Sequence, residues 1–519
     1  MNLGRFVRAT AAVQPGAEAV VAGESRLTYA QLDEASDRLA AALMDRHGLV
    51  RGDVVAVLGW NCAELVITEV ALYKAGLVRA PINARLGVSE VHDVLADAGV
   101  KVLIADVDHI DLVRSALASV TVDTVITIGG ASDLGISFVD ALASVERRAV
   151  DVECSEADTA VLHFTSGSTG KLKAAVHTYG NRLALIRKSL MHPDGYVGPG
   201  GREILAGPIT HASGMPMMGV FRAGGCVIVM RTWDPIEFLK TVEREKATHA
   251  FVVPTMINMI LAVPDVGRFD LSTLKHLIYG GAPMSPARIR AAWKHLGPVL
   301  TQGFGCAETT SVVMLLSTDD HRRAIEDGDE ELLLSCGRAI FDAEVRVVDE
   351  AGAQVAPGEI GELAVRGPDI AHGYHNEEAL TAETFRGGWF HSGDLARYRE
   401  DGYIFIVDRK KDMIISGGYN IYSVEVEAAL LQHPGIFDAA VIGVPDEEWG
   451  EAVKAVVVPH PGVILDEVEV IEFCAARLSR LKKPRSVDVV SSLPVNQNGK
   501  TDRRAIRERF WTADGRRVA

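Results

Sequence analysis

The chain has 519 residues, with 53 Lys+Arg against 69 Asp+Glu and a formal net charge of −16. This acidic surplus excludes a general nucleic-acid binder, whose hold on phosphate backbones needs clustered Lys and Arg. Apolar residues at 48% and charged residues at 24% exclude a disordered polymer, and at roughly 150 residues per domain the length predicts about three units.

No run approaches the roughly 20 apolar residues that a membrane-spanning helix needs, and the N-terminal MNLGRFVRATAAVQPG has no apolar signal-peptide segment. A soluble, cytoplasmic protein with no integral membrane segment is expected. The six cysteines (Cys62, Cys154, Cys226, Cys306, Cys336, Cys474) are widely spaced with no C-x-x-C pair, which fits unpaired thiols and not a disulfide framework or zinc ribbon.

From Leu27 to about Thr127, amphipathic helices alternate with short Val/Ile-rich strands, the pattern of a parallel sheet. The first helix is TYAQLDEASDRLAAALMDR, with Thr28 as N-cap and Gln31 three residues on. A second α/β series is predicted from Ala160 to Leu300, with VLHFT, AFVVP and HLIYGG as buried strands. After about Leu334, EVRVVDEAG, GEIGELAVRG and DGYIFIVDR read as short alternating strands of an antiparallel, barrel-like subdomain. A charged segment from Arg409 to Asp412 then leads into an α+β unit. The predicted fold class is α/β. A large N-terminal domain (1–408) has two layered α/β subdomains and a small β-barrel-like one, and a joint (409–412) precedes a small, mobile α+β C-terminal domain (413–519).

LHFTSGSTGKLK (162–173) places a glycine- and hydroxyl-rich loop directly after an apolar strand. Glycines let the backbone approach an anion closely, and hydroxyls and free N–H groups donate to phosphate oxygens. The P-loop of ordinary NTPases fails on spacing, since only two residues separate Gly167 from Gly170-Lys171, and on chemistry, since Leu172 takes the Ser/Thr place.

Five more segments accompany this loop: PITHASG (208–214), YGGAPMS (279–285), QGFGCAETT (302–310), WFHSGDLARYREDGYIFIVDRKKDMIISGGYNIYSVEVE (389–427) and LPVNQNGKTDRRAI (493–506). In this order, over nearly the whole chain, they closely resemble the adenylate-forming superfamily of acyl-CoA synthetases, peptide-synthetase adenylation domains and luciferases. The resemblance implies ATP-dependent activation of a carboxylic acid to an acyl-adenylate with loss of pyrophosphate, then capture by a thiol. ATP, Mg²⁺ and coenzyme A are the implied ligands, and a homodimer is a candidate assembly. An anionic carboxylate must attack a polyanionic phosphorus, so cations are required where charge accumulates.

By this resemblance, Thr165, Ser166, Gly167, Ser168, Thr169, Gly170, Lys171 and Lys173 cradle phosphates. Gly281, Ala282 and Pro283 form the adenine-edge loop. Gln302, Gly303, Phe304 and Gly305 belong to the cofactor-binding set, Phe304 standing where Tyr usually stacks on adenine and keeping the stacking face. Glu308, with Thr309 beside it, matches the Mg²⁺ carboxylate. Asp394 and Arg409 match the ribose-diol pair, and their types suit a diol. His211 falls at the mouth of the acyl pocket, near the substrate carboxylate. Lys500 matches the catalytic lysine, and Lys411 the domain hinge. Ser416, Gly417 and Gly418 belong to the pantetheine tunnel, and the charge run Lys482, Lys483, Arg485 meets either coenzyme A or solvent. Neither His211 nor the pair His372 and His375 has zinc-site spacing.

Several positions depart from the family pattern: Ser168 for Thr, Leu172 for Pro, Ala174 for Gly, Ala307 for Thr and Ser423 for Pro. Two alternatives stand beside free coenzyme A as acceptor: a stand-alone enzyme loading a carrier-protein phosphopantetheine, and a nucleotide-binding protein without turnover. The acid pocket is expected to draw on residues 211–218, Trp233 and residues 279–282, a Met- and Gly-rich lining suited to a fatty, alicyclic or aromatic acid.

Overall fold

The computed structural model describes residues 1–166, 172–310, 312–495 and 501–511. Of the residues singled out above, Gly167, Ser168, Thr169, Gly170, Lys171 and Lys500, together with the Ser166 side chain, lie outside the described part.

Among the described residues, two large sheets carry the N-terminal domain. In the seven-stranded sheet the strands Val102–Asp106, Val54–Leu58 and Val78–Ile82 are parallel neighbours. The strand Val102–Asp106 is buried throughout, as expected of a parallel strand covered on both faces. The nine-stranded sheet has a parallel centre running from His276–Gly280 through His249–Val252, Arg202–Leu205 and Cys226–Val229 to Glu18–Ala22. The helices Tyr29–Ala41, Ala63–Ala75, Tyr179–Met191 and Met217–Ala223 pack between the sheets in one core shared with strands of both. The helix Ala63–Ala75 is buried on nearly every side, the mark of a helix in a central layer. Further helices cover the outer faces. The predicted capping box is present: the Gln31 N–H donates to the Thr28 hydroxyl, and the Thr28 N–H to Gln31 Oε1.

One sequence assignment is corrected. The strand containing VLHFT, Thr159–Ser166, belongs to the first sheet, pairing with Val78–Ile82 and, in antiparallel fashion, with Leu172–Thr178. The chain's first strand, Glu18–Ala22, crosses the other way into the second sheet. An apolar run specifies a buried strand but not the edge at which it pairs.

The central layer contains a buried ion cluster. Lys74, almost wholly buried, donates to Asp33 at 2.7 Å and Asp37 at 2.8 Å, and Arg8 and Arg147 reach the same carboxylates from the rim. Truncating one partner strands the other charges in low dielectric. Lys74→Met is therefore expected to lower unfolding free energy by about 3 to 5 kcal/mol in urea titrations; an unchanged midpoint would show that the cluster is neutral to stability.

The small β subdomain is an antiparallel sheet built around Gly361–Arg366, Trp389–Tyr398 and Ile404–Arg409. The C-terminal domain has its own core and sheet, whose main pair is Ile436–Asp446 with Gly450–Pro459. Among the described residues, no helix is long and apolar enough to cross a membrane.

Candidate active site

The candidate residues gather where the parallel strands of the second sheet end and the hairpin of the first sheet meets them, the usual ligand-binding edge of such sheets. The hairpin pairs Thr165 with Lys173 and His163 with Ala175. The glycine-rich segment thus joins two antiparallel strands, whereas a Walker loop opens a helix. On the second sheet, Gly280 pairs with Gly303 so closely that a Cβ on Gly280 would lie 2.3 Å from the Gly303 carbonyl oxygen, so no larger residue fits there. Gly281 and Pro283 are exposed, and Ala282 and Phe304 are half-buried. Gln302 is buried, its Oε1 accepting from the Tyr279 hydroxyl at 3.1 Å.

The strand Leu300–Gly305 leads into the single turn Ala307–Thr309. Thr309 closes this turn: its hydroxyl accepts from the Cys306 N–H at 2.9 Å and donates to the Cys306 carbonyl at 3.1 Å. Glu308 is buried and lies 3.3 Å from the Lys173 ammonium. Tyr374 links the two. Its hydroxyl accepts from Lys173 at 2.6 Å and donates to Glu308 Oε1 at 2.6 Å, and the lysine nitrogen sits 3.9 Å from its ring centroid. Burial pushes the Glu308 carboxyl up, but the Lys173 charge and the Tyr374 hydrogen bond outweigh it and hold the group below the usual glutamate range. The carboxylate is thus ionised at neutral pH, with a cation beside it.

Sequence reasoning missed Tyr374. In the stretch HGYH (372–375) the His375 ring bonds the Asp97 carbonyl at 3.2 Å and His372 pairs with Val176 through its backbone. The tyrosine between them reaches Glu308, 66 residues earlier in the chain.

Asp394 and Arg409 face each other across the strands Trp389–Tyr398 and Ile404–Arg409, with Arg409 Nε 3.2 Å from Asp394 Oδ1. Asp394 is buried and Arg409 half in solvent, at 55% side-chain exposure, so the pair presents a carboxylate and a guanidinium at the surface. His211 is half-buried, its Nδ1 3.0 Å from the Thr210 hydroxyl and its ring edge-on to His163. Burial, then Arg79, lowers its pKa to about 4, so the ring is neutral at pH 7. Three residues expected at the acid pocket make contacts of their own. Met217 and Met218 are core residues of the central layer because their helix packs between the sheets, and Trp233 packs on Phe238 with its indole N–H on Met259 Sδ.

Arg409, Lys410 and Lys411 are exposed. Ser416 is buried, and Gly417 packs so tightly on the Trp449 ring that a Cβ would come within 2.4 Å of it. Lys482 donates to both Glu425 oxygens, at 2.7 and 2.8 Å, and Arg485 lies over the Trp449 ring.

The departure at Ser423 acquires a physical reason. Its N–H and its hydroxyl both donate to the buried Asp408 carboxylate, the hydroxyl at 3.0 Å. A proline has neither donor. Ser423→Pro is expected to cost about 1.5 to 3 kcal/mol through the lost charged-acceptor bonds, although proline itself suits the first turn of a helix. Thermal unfolding of Ser423→Pro beside Ser423→Ala measures this; a Pro variant as stable as its parent would dismiss the contact.

A family model described as "AMP-binding enzyme" matches residues 7–375, and one described as "AMP-binding enzyme C-terminal domain" matches residues 425–500. The chain belongs to the AMP-binding, adenylate-forming enzyme family. It is 39% identical over 511 residues to a feruloyl-CoA synthase of Amycolatopsis sp, covering 98% of this chain and 99% of the relative. It is 34% identical over 513 residues to the medium/long-chain-fatty-acid–CoA ligase FadD8 of Mycobacterium tuberculosis, covering 96% and 88%. Among solved structures, the amide bond synthetase McbA from Marinactinospora thermotolerans superposes with a TM-score of 0.89 at 30% identity, covering 98% of this chain and 100% of that one. ATP-bound MatB from Rhodopseudomonas palustris does so with a TM-score of 0.87 at 29% identity, covering 98% and 99%.

Proposed function

We propose that this protein is an acyl-CoA ligase that activates an aromatic acid of the hydroxycinnamate kind. ATP and the acid form an acyl-adenylate with release of pyrophosphate, and coenzyme A then takes the acyl group as a thioester with release of AMP. The observation that carries the reaction is the Lys173–Tyr374–Glu308 cluster beside the glycine-rich hairpin. The choice of acid rests on end-to-end likeness to a feruloyl-CoA synthase. A fatty acid is the second reading, favoured by the likeness to FadD8.

In this reading residues 165–171 and Lys173 hold the phosphates, the residues 281–283 and Phe304 hold the base, and Asp394 with Arg409 holds the ribose. An ionised, buried carboxylate flanked by hydroxyls fits Mg²⁺, which binds through one or two carboxylates and phosphate oxygens. Glu308 is the residue that holds the ion. When bound, Mg²⁺ offsets the charge that accumulates on the departing pyrophosphate. His211, neutral and half-buried, faces the acid, and Lys500 bridges the acid carboxylate and the α-phosphate. The chain divides into residues 1–408 and 413–519 about a joint at 409–412 with Lys411 as hinge, and the 416–418 loop lines the path of the pantetheine arm.

A pyrophosphate-release screen over hydroxycinnamates, benzoates, and medium- and long-chain fatty acids, with and without coenzyme A, tests both parts. Acid-dependent release with ferulate-type acids, and thioester on adding coenzyme A, is expected. Silence with every acid overturns the activation step; release without thioester overturns the acceptor in favour of a carrier protein or an amine.

A further inference from the structure

His177 stands outside every segment that carries the resemblance, yet it is wholly buried next to the site. Its Nε2 lies 2.7 Å from the carbonyl oxygen of Ala307, 130 residues away in the chain. A carbonyl can only accept, so Nε2 carries the proton and Nδ1 the lone pair. Among the described residues Nδ1 has no partner, although it is buried. Burial first, and Arg182 after it, holds the pKa at about 3, so the ring is neutral at working pH. Its plane is set by stacking on His163 at 5.5 Å and 11°. A buried histidine with one nitrogen unsatisfied is costly, which calls for a compensating role.

The geometry supplies one. Successive side chains of a strand alternate between faces, so Lys173, Ala175 and His177 share a face of Leu172–Thr178. That face holds the Ala307–Thr309 turn at two points. Lys173 meets the Glu308 carboxylate, and His177 meets the carbonyl of the preceding residue. The small Ala175 between them packs on Ala371 and Tyr374, with Ala307 against the same cluster. The carbonyl gripped by His177 belongs to the rigid peptide plane that enters Glu308. The plane that leaves Glu308 is held too, because the Ala371 N–H donates to the Glu308 carbonyl at 2.8 Å. Both planes flanking the carboxylate-bearing residue are therefore pinned, and with them the direction of its side chain.

We propose that His177 is a positioning residue for the divalent cation of the nucleotide. By donating to the Ala307 carbonyl it fixes the peptide plane before Glu308 and so aims the carboxylate. This rests on the assignment of Glu308 to the nucleotide's metal ion. His177 itself touches neither nucleotide nor acid; it acts through Glu308.

The test is Mn²⁺ binding, followed by its electron paramagnetic resonance signal, in the presence of α,β-methylene-ATP. It compares the parent, His177→Leu, His177→Gln, Glu308→Gln and the His177→Leu/Glu308→Gln double variant. His177→Leu keeps the volume and removes the donor, whereas His177→Gln places an amide N–H where Nε2 stood. The expected result is at least a tenfold loss of Mn²⁺ affinity for His177→Leu, recovery to within about threefold of the parent for His177→Gln, and no additional loss on adding His177→Leu to Glu308→Gln. In steady state the Mg²⁺ concentration for half-maximal pyrophosphate release should rise tenfold for His177→Leu, with kcat at saturating Mg²⁺ within about threefold. Parent-like Mn²⁺ affinity in His177→Leu, or an equal further loss in the Glu308→Gln background, overturns the proposal. If Glu308→Gln itself leaves Mn²⁺ binding intact, the assignment of Glu308 fails and takes the proposal with it. Should His177→Leu not fold, His177→Phe serves as the donorless variant under the same criteria.

Discussion

Lys500→Ala is expected to lower acid-dependent pyrophosphate release by about three powers of ten, while supplied acyl-adenylate is still converted to thioester. The attacking acid and the ATP phosphates are both anionic, and negative charge builds between them in the transition state. At an effective dielectric of about 20, a unit charge about 4 Å away contributes on the order of 4 kcal/mol, or roughly a thousandfold in rate. Thioester formation, in which a thiol would replace AMP, is expected to make no such demand on this lysine. The chain on either side of the lysine segment is drawn together: Val495 bridges Thr501, and the Asp502 N–H donates to the Pro494 carbonyl at 2.8 Å. Arg503, just beyond, is anchored to Glu427 at 2.6 Å. Pyrophosphate release at the parental rate would remove Lys500 from the reaction, and equal loss of both half-reactions would make its role structural.

The second large effect concerns stability. Glu203, in the strand Arg202–Leu205, is 2% exposed, and its Oε2 has no hydrogen-bond partner among the described residues. Burial raises its pKa from 4.5 to about 8. Below about pH 4.5 the carboxyl is protonated whether or not the chain is folded, and nothing is lost. Between pH 4.5 and 8 the unfolded chain gives up this proton and the folded chain keeps it, so stability falls as pH rises. Above pH 8 the folded protein carries the ionised group and the full penalty. Glu203→Gln keeps the shape and does not titrate. The variant should match its parent near pH 5 and exceed it at pH 8 by on the order of 4 kcal/mol. Several histidines, including His211 and His321, titrate on the acid side, but they are common to both proteins and cancel in the difference. Urea titrations at pH 5, 6.5 and 8 measure it; parallel curves for the two proteins would show that Glu203 has a partner and an ordinary pKa.

Much of the fold could be read from local pattern. Helices alternating with Val/Ile-rich strands and the antiparallel texture after Leu334 correspond to the two large sheets and the small β subdomain. The Thr28–Gln31 capping box was legible because a cap involves neighbours three residues apart. The candidate site was legible wherever a residue lies within a contiguous motif. Asp394 and Arg409 come together because adjacent strands place them in register, and Glu308 lies just past a strand end.

What the sequence determined by itself was the family and the kind of fold, together with the motifs that nominate the candidate site, since these depend on chemistry within a few residues. Only the tertiary structure decided that Thr159–Ser166 joins the first sheet, that Tyr374 completes the contact between Lys173 and Glu308, that Ser423 ties Asp408, and that Glu203 is sealed inside. Periodicity tells which face of an element is buried, but not which distant segment covers it. The polar partners that shape this site meet across tens to hundreds of residues, where only packing brings them within hydrogen-bond range.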